Sequence, residues 1–245
     1  MLNKLKTTTL LTTTLLFSSM AGCAEAGQKA EPANKAEIEQ VIRAYLLDNP
    51  EVIEEALVLL DERRDRNSII AVADELRKDK RDFSYGPKDA KVTVVEFFDY
   101  NCSFCKQSTA WVQNIVKTYP DDVRVVFKEL PILERRSKTS RNAAKAALAA
   151  GKQGKYMEMH LALMDGTALS NKYITSEAVK LGLNLKKFNA DMADPNLDEQ
   201  LEDAMYLASR IPGLTGTPFF VINDKFLASG NTQVLQAMLN EALAQ

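Results

Sequence analysis

Apolar residues near the start of the chain recur with the spacing of helix faces. Between residues 36 and 48 they fall at positions i, i+3, i+4, i+7 and i+8, which predicts an amphipathic helix. Pro50 favours a stop and a restart, because the residue before a proline avoids helical angles and proline suits the first helical turn. The first face comprises Ile38, Val41, Ile42, Tyr45 and Leu46, and the second comprises Val52, Ile53, Ala56, Leu57 and Leu60.

A polar stretch separates these two predicted helices from the rest of the chain. Residues 61–68 read DERRDRNS and contain no apolar side chain, so a helix there would be polar on all sides and would bridge solvent. We expect residues 36–82 to form a helical arm and linker, with the domain boundary between residues 80 and 86. Two interpretations stay open: an arm folded back on its own domain, or an oligomerisation module in residues 36–60, because two short amphipathic helices cannot bury their faces alone.

Residues 84–245 show the mixture of strands and helices that is typical of an α/β domain. Residues 92–98, VTVVEFF, are nearly all apolar or β-branched, as in a central strand covered on both faces. The predicted elements, in chain order, are a strand at 92–98, a helix at 102–119, a strand at 123–130, a helical insertion at 137–212, strands at 219–222 and 226–228, and a helix at 232–243.

The N-terminus has the features of a secretory signal. Lys4 and Lys6 precede an uncharged stretch from residue 7 to residue 22, and small residues follow. The residues SMAGC resemble a bacterial lipobox, which implies a signal over residues 1–22, lipidation of Cys23 and a membrane anchor. Ordinary signal peptidase would instead cleave after Ala26. In either case we expect a periplasmic protein with a polar tether up to residue 35, anchored on the periplasmic side of the membrane if Cys23 is lipidated.

Charge and cysteine content narrow the function classes. The 245 residues have 46% hydrophobic composition and a formal net charge of -2, which argues against a nucleic-acid partner because such proteins present a basic face. After loss of the signal, or after lipidation of Cys23, the only thiols left are Cys102 and Cys105. Unpaired thiols do not persist in an oxidising compartment, so these two residues are expected to work as a pair.

The cysteine pair in FDYNCSFCKQ has three interpretations: two metal ligands, a structural disulfide or a redox-active pair. A closed metal site needs three or four ligands, and the chain has no second Cys-x-x-Cys and one histidine. A structural disulfide that closes so short a loop would restrain the unfolded chain very little. A soft-metal site at Met157, His160 and Met164 is a weaker alternative, since methionines at helical spacing are usually core residues. We therefore expect no metal and no cofactor beyond a redox-active disulfide between Cys102 and Cys105.

The position of the pair suits thiol chemistry. Unsatisfied N–H groups and the dipole at a helix N-terminus favour a thiolate, which is the nucleophilic form. Cys102 is therefore expected to attack a substrate disulfide. Cys105, one turn further along, is expected to be buried and to resolve the mixed disulfide.

The motifs VVEFFDYNCSFC, FKELPI and TGTPFFVI, together with the helical insertion, resemble the DsbA family of thiol–disulfide oxidoreductases. The resemblance covers about residues 84–245 and implies a thioredoxin fold with a DsbA-type helical insertion. Residues 36–60 are similar to the N-terminal segment of the suppressor-of-copper-sensitivity C (ScsC) group, whose members oligomerise through it.

The resemblance also implies supporting residues. Pro218 matches the cis-proline that faces the cysteine pair, and Thr217 precedes it as in isomerase-like members. Glu96 matches a buried acidic residue near the resolving cysteine, with Lys128 as its expected partner on the next strand. Strongly oxidising members carry a histidine between the cysteines, whereas Ser103-Phe104 is closer to the bacterial disulfide isomerases.

We therefore expect a secreted oxidoreductase with cysteine-containing substrate proteins and a membrane redox partner, an oxidase or a reductase. A disulfide isomerase is the first hypothesis, and a DsbA-like dithiol oxidase is the second. A metal-binding or holdase chaperone on the same fold is the alternative of another class. A homo-oligomer formed through residues 36–60 is expected with the first hypothesis.

Overall fold

The computed structural model describes residues 35–245. The expected signal, its alternative cleavage sites and Cys23 lie outside the described residues. The described residues divide into two compact units, the first ending at Ile53 and the second spanning Glu54–Gln245. Within residues 35–245, no helix is both long enough and apolar enough to cross a membrane.

The helices predicted from the apolar spacing are present. The first, α1, spans Lys35–Asp48, and α2 spans Glu51–Ala71, so the stop and restart around Pro50 is confirmed. The polar residues 61–68 lie inside α2, which continues through them without a break. No residue of α1 is buried among the described residues. The large apolar side chains exposed on α1 and on the first part of α2 are Ile38, Val41, Ile42, Tyr45, Leu47, Ile53, Leu57, Val58, Leu59 and Leu60.

The second unit contains a five-stranded sheet with the order β1-β3-β2-β4-β5. The central strand β2 pairs parallel to β3 and antiparallel to β4, and the edge strands β1 and β5 pair antiparallel to β3 and β4. This is the thioredoxin-like α/β fold that we expected. The strands are β1 Phe83–Tyr85, β2 Val92–Phe98, β3 Val123–Glu129, β4 Phe219–Ile222 and β5 Lys225–Leu227.

Helices cover both faces of this sheet. The first face packs against α4, α10 and the helical insertion, and Val94, Phe98 and Phe127 belong to that core. The insertion comprises five helices that together extend from Ser140 to Ser209, inside the predicted range 137–212. The remaining helices are α3 Ala73–Arg77, α4 Ser103–Thr118, α5 Ser140–Gly151, α6 Tyr156–Asp165, α7 Asn171–Lys180, α8 Leu185–Met192, α9 Pro195–Ser209 and α10 Thr232–Ala244.

The second face of the sheet is covered by the segment that we assigned to the arm. Ile69, Val72 and Leu76 are buried in one core with Phe97 and Val126 of the sheet. The expected boundary between residues 80 and 86 therefore does not separate two packed bodies, because Ile69 at the end of α2, Val72, and Leu76 of α3 belong to the core of the sheet. The physical reason is that Val95 and Phe97 of β2 and Val126 of β3 form an apolar patch on the second face, which also needs a cover.

Candidate active site

Cys102 and Cys105 lie where the chain leaves β2 and enters α4. Cys102 is the N-cap residue of α4, with an extended backbone at φ -83° and ψ 116°. Its side chain is close to the surface, with 7% of the residue exposed, whereas Cys105 is 0% exposed. Both are free thiols. The predicted placement of the pair at a helix N-terminus, with the second cysteine buried, is confirmed.

The surroundings of Cys102 favour its thiolate. The thiol of Cys105 donates to the Cys102 sulfur, and this bond is the largest of the causes that lower the pKa of Cys102 to about 5. The Thr217 side chain and the main-chain N–H groups of Cys105 and Phe104 also donate to the thiolate, while burial opposes them. A thiol with this pKa is ionised at neutral pH, and the thiolate is the form that can attack a disulfide.

Cys105 has the opposite character. Burial raises the pKa of its thiol, and the hydrogen bond to Cys102 and the negative charge of Glu96 raise it further. At neutral pH the pair therefore consists of an outer thiolate and an inner thiol. This division allows Cys102 to meet a substrate first and keeps Cys105 from competing with it.

The segment before β4 lies against the pair. The Thr217–Pro218 peptide bond is cis, as the resemblance implied. In its thiol form Cys102 donates to the main-chain oxygen of Thr217 at 3.1 Å. Gly230 allows the loop before α10 to approach, because a Cβ there would lie 3.2 Å from both the Phe104 carbonyl oxygen and the Pro218 Cγ. The loops that carry Thr217, Pro218 and Gly230 thus meet at the cysteine pair.

The dipeptide between the cysteines presents an apolar surface. Phe104 is 62% exposed and Ser103 is also exposed. Neither side chain carries a charge, so this dipeptide stabilises the Cys102 thiolate only through the main-chain N–H of Phe104. An exposed phenylalanine therefore lies beside Cys102.

Replacing this phenylalanine should change the redox balance. In Phe104→His an imidazolium next to Cys102 would stabilise the thiolate, lower the pKa of Cys102 and make the disulfide more oxidising, by about 30 mV for each 1.4 kcal/mol. Equilibration with glutathione at several pH values measures this. The shift should grow below about pH 6.5, where histidine becomes protonated. Phe104→Leu serves as the uncharged control, and a potential in the histidine variant that is unchanged or more negative would contradict the account.

Glu96 lies on the same face of the sheet as α4. Burial raises the pKa of its carboxyl to about 8, the Ser108 hydroxyl that donates to it lowers the pKa, and the charge of Cys102 raises it. The Ser108 Oγ lies 3.4 Å from Glu96 Oε1. A carboxyl with this pKa gains or loses its proton close to neutral pH, as a group that exchanges protons with a neighbouring thiol requires.

The expected pairing of Glu96 with Lys128 is wrong. In the register of β2 and β3, Glu96 lies opposite Phe127, and Lys128 lies opposite Phe97. Neighbouring residues of a strand point to opposite faces, so the two side chains lie on different sides of the sheet. Lys128 instead forms a buried ion pair with Asp82 and donates to the Glu75 carbonyl oxygen at 2.5 Å. Its place in the molecule is therefore under α3, away from the cysteines.

Loss of Lys128 should reduce stability. Burial outweighs the attraction of Lys128 and raises the pKa of Asp82 to about 6. In Lys128→Met the Asp82 carboxyl would stay buried without its partner, so we expect the free energy of unfolding to fall by about 3 kcal/mol in urea denaturation. The double variant with Asp82→Leu should recover most of that loss. Equal losses in both variants would show that the uncompensated carboxyl is not the cause.

Sequence reasoning missed a buried polar cluster beside the site. The hydroxyls of Tyr100 and Tyr156 donate to Glu129 Oε1 at 2.9 and 2.7 Å. Burial raises the pKa of Glu129 well above its usual range. Val123, Val125 and Phe127 alternate toward one core, and Glu129 continues that alternation. A charged residue at an inward-facing position of a strand was the signal that could have identified it.

His160, considered above for a soft metal, belongs to this cluster. Its Nδ1 lies 3.0 Å from the Tyr100 hydroxyl oxygen. Burial lowers the pKa of His160 to about 3, so the ring is neutral. Phe98 and Phe127 contact the ring edge-on, and Tyr156 stacks on it. Over residues 35–245 there is no group of three or more His, Cys, Asp or Glu side chains that could hold a metal ion.

Comparison with known proteins agrees with this geometry. A DSBA-like thioredoxin domain matches residues 93–244, and the N-terminal domain of the copper resistance protein ScsC matches residues 34–65. A thioredoxin-like oxidoreductase from Silicibacter pomeroyi DSS-3 is 36% identical, with 70% of this chain and 98% of that chain covered and a TM-score of 0.64. Proteus mirabilis ScsC in a transitional conformation is 30% identical, with 86% and 98% covered and a TM-score of 0.62.

Curated relatives are longer than this chain. The Na(+)/H(+) antiporter NhaA 1 of Salinispora arenicola is 32% identical over 171 residues, which are 67% of this chain and 25% of that protein. The chain thus spans about a quarter of the length of the curated relatives that it matches. With a DSBA-like domain over more than half of its length and an ScsC-type segment before it, the chain belongs to the DSBA-like thioredoxin family and carries a Cys-x-x-Cys pair, Cys102 and Cys105.

Proposed function

We propose that this protein is a periplasmic thiol–disulfide oxidoreductase, and specifically a disulfide isomerase, that acts on cysteine-containing proteins and assembles through residues 36–60. The observation that carries the proposal is the exposure of the apolar residues on α1 and on the first part of α2. So many exposed apolar side chains on these two helices need a partner to cover them. The match of residues 34–65 to an ScsC N-terminal domain supports a second copy of the chain as that partner.

The proposed reaction begins with the thiolate of Cys102. It attacks one sulfur of a non-native client disulfide, forms a mixed disulfide and releases the other client sulfur as a thiolate. A different client thiolate then attacks the mixed disulfide, forms a new client disulfide and restores Cys102, without net oxidation. If no client thiol arrives, Cys105 loses its proton, with Glu96 as the proposed acceptor, and attacks the Cys102 sulfur. The client then leaves reduced.

Assembly would serve isomerisation in two ways. Several Cys102 thiolates facing one client raise their effective concentration at its disulfides. Neighbouring subunits around a shared cleft would also hinder the membrane oxidase that would otherwise convert the pair to a disulfide. Isomerisation needs Cys102 to stay reduced, so a membrane reductase is the proposed redox partner.

A dithiol oxidase is the second candidate, and one observation favours it. The surroundings of Cys102 lower its pKa to about 5, which stabilises the reduced form relative to the disulfide. A stabilised reduced form makes the disulfide more oxidising, as in strongly oxidising members of this fold. In that case the partner in the membrane would be an oxidase, and the disulfide would pass to client thiols.

The N-terminal segment supports the proposed location. Lys4, Lys6 and the uncharged stretch that follows are typical of an exported protein. A lipid at Cys23 would hold the protein on the periplasmic side of the membrane, and cleavage after Ala26 would release it. Mass spectrometry of the protein purified from a bacterial host distinguishes a diacylated Cys23 from an N-terminus at Gly27.

Two ribonuclease assays test the proposal. The full chain should reactivate scrambled ribonuclease faster than it oxidises reduced ribonuclease in a glutathione buffer. The reverse order would make the protein a dithiol oxidase. Cys102→Ser should be inactive in both assays, and retention of full activity in that variant would point to a chaperone or metal-binding role on the same fold.

A further inference from the structure

A buried carboxylate lies three residues before the first cysteine. Asp99 is 1% exposed and follows the last residue of β2. Its Oδ1 accepts from the Asn101 main-chain N–H and from the Ser140 hydroxyl, both at 2.8 Å. Its Oδ2 accepts from the Leu133 main-chain N–H at 2.9 Å. A single side chain therefore joins the loop before α4, the loop after β3 and the start of α5.

Asn101 strengthens the same junction. Its side-chain N–H groups donate to Thr139 Oγ1 at 3.1 Å and to Ser140 Oγ at 2.9 Å. The Ser140 hydroxyl thus accepts from Asn101 and donates to Asp99. Because each of these polar atoms has a partner, the loop between β2 and Cys102 has little freedom to move against α5.

The backbone of Asp99 contacts both cysteines. Its carbonyl oxygen accepts from the Cys102 N–H at 2.9 Å. Its main-chain N–H lowers the pKa of Cys105, against the larger effect of burial, which raises it. The same residue is therefore anchored through its side chain to distant elements and through its main chain to the two reacting residues.

We propose that Asp99 is a positioning residue whose three-way anchored carboxylate holds Cys102 and Cys105 in the arrangement that lets the Cys105 thiol donate to the Cys102 sulfur. That donation is the largest cause of the lowered pKa of Cys102. A sulfur–sulfur hydrogen bond depends on distance and direction, so looser anchoring of the loop weakens it. The proposal concerns the thiol–disulfide exchange of the family and holds for an isomerase and for an oxidase alike.

The charge of Asp99 would act in the opposite direction. A negative charge near Cys102 disfavours a second negative charge, so its removal alone would lower the pKa of Cys102. Other charged groups in the vicinity are Glu134, whose charge raises the pKa of Asp99, and Lys106, whose ammonium is close enough to interact with both Asp99 and Cys105. The direction in which the pKa of Cys102 moves therefore separates positioning from a simple charge effect.

Asp99→Asn in the full chain provides the test. The amide keeps the size of the carboxylate, but only one of its two terminal atoms is an oxygen. It therefore loses either the hydrogen bond from the Leu133 N–H or those from the Asn101 N–H and the Ser140 hydroxyl. We expect the pKa of Cys102, followed through the ultraviolet absorbance of the thiolate in the reduced protein, to rise by at least about half a unit, a threefold change in the ionisation equilibrium. Ser140→Ala removes one donor and keeps the charge, so it should raise the pKa in the same direction by less.

Asp82→Asn is the matched control. It removes a buried carboxylate on the other face of the sheet, so it should reduce stability and leave the pKa of Cys102 unchanged. A fall in that pKa in Asp99→Asn would show that Asp99 acts only through its charge. An unchanged pKa together with reduced stability, as in the control, would show a purely structural role, and either result overturns the proposal. The ribonuclease assays test the isomerase proposal, and the pKa of Cys102 tests the role of Asp99, so failure of one does not imply failure of the other.

Discussion

Removal of residues 35–60 is expected to leave a folded monomer that oxidises dithiols but reactivates scrambled ribonuclease at least about tenfold more slowly than the full chain. The deleted segment carries the exposed apolar residues of α1 and of the first part of α2, whereas Ile69, Val72 and Leu76 stay in place to cover the sheet. Without assembly each client would meet a single Cys102, and the advantage of several neighbouring thiolates would be lost. The two ribonuclease assays, run side by side, measure both activities.

A longer deletion is the informative control. Removal of residues 35–82 also takes away three buried apolar side chains and the partner of Lys128. Each large apolar side chain that is lost from a core costs about 2–5 kcal/mol, so this variant should unfold or aggregate. If the shorter deletion keeps full isomerase activity as a monomer, assembly has no part in the reaction and the isomerase proposal loses its structural basis.

Cys105→Ser is expected to make the mixed disulfide between Cys102 and client the main species after incubation with scrambled ribonuclease. The variant retains the outer thiolate but lacks the thiol that would attack the Cys102 sulfur and release the client. Non-reducing gels after acid quenching show the adduct as a band of higher mass that reductant removes.

The control for this experiment is the double variant that combines Cys102→Ser with Cys105→Ser. It contains neither thiol of the pair, so no adduct should form. Adducts of equal amount in the single and double variants would mean that another group reacts with the client. Absence of adducts in Cys105→Ser would mean that Cys102 is not the residue that attacks.

The positions of the cysteines could be predicted because they depend on local signals. An apolar run ending in FDYNC predicts a strand, the charged and polar residues after it predict an amphipathic helix, and the first cysteine falls at its start. The helix break at Pro50 was predictable for the same reason. In each case neighbouring residues determine the backbone, and no distant contact has to be known.

The partner of Glu96 could not be predicted in this way. Its face depends on which residue of β3 lies opposite, and a shift of one residue in that register exchanges the two faces of the strand. The observed register puts Phe127 opposite Glu96 and thereby moves Lys128 to the other side. The family motif suggested an ion pair between Glu96 and Lys128, but this register places the two side chains on opposite faces of the sheet.

The extent of the core and the role of Asp99 depend on distant contacts. The periodicity of Ile69 and Val72 predicts a helix but does not say which sheet the helix covers. The three donors to Asp99 come from residues 101, 133 and 140, which only the folded chain brings together. These features therefore required the structure.

The most direct measurement is the solution mass of the chain from residue 27 onward, determined by light scattering at micromolar concentration. We expect a mass at least twice that of the monomer, because the exposed apolar side chains of α1 and of the first part of α2 need a second copy to cover them. Removal of residues 35–60 should reduce this mass to that of one chain. A monomeric mass for the chain that retains residues 35–60 would overturn the proposal that the protein works as an assembled isomerase.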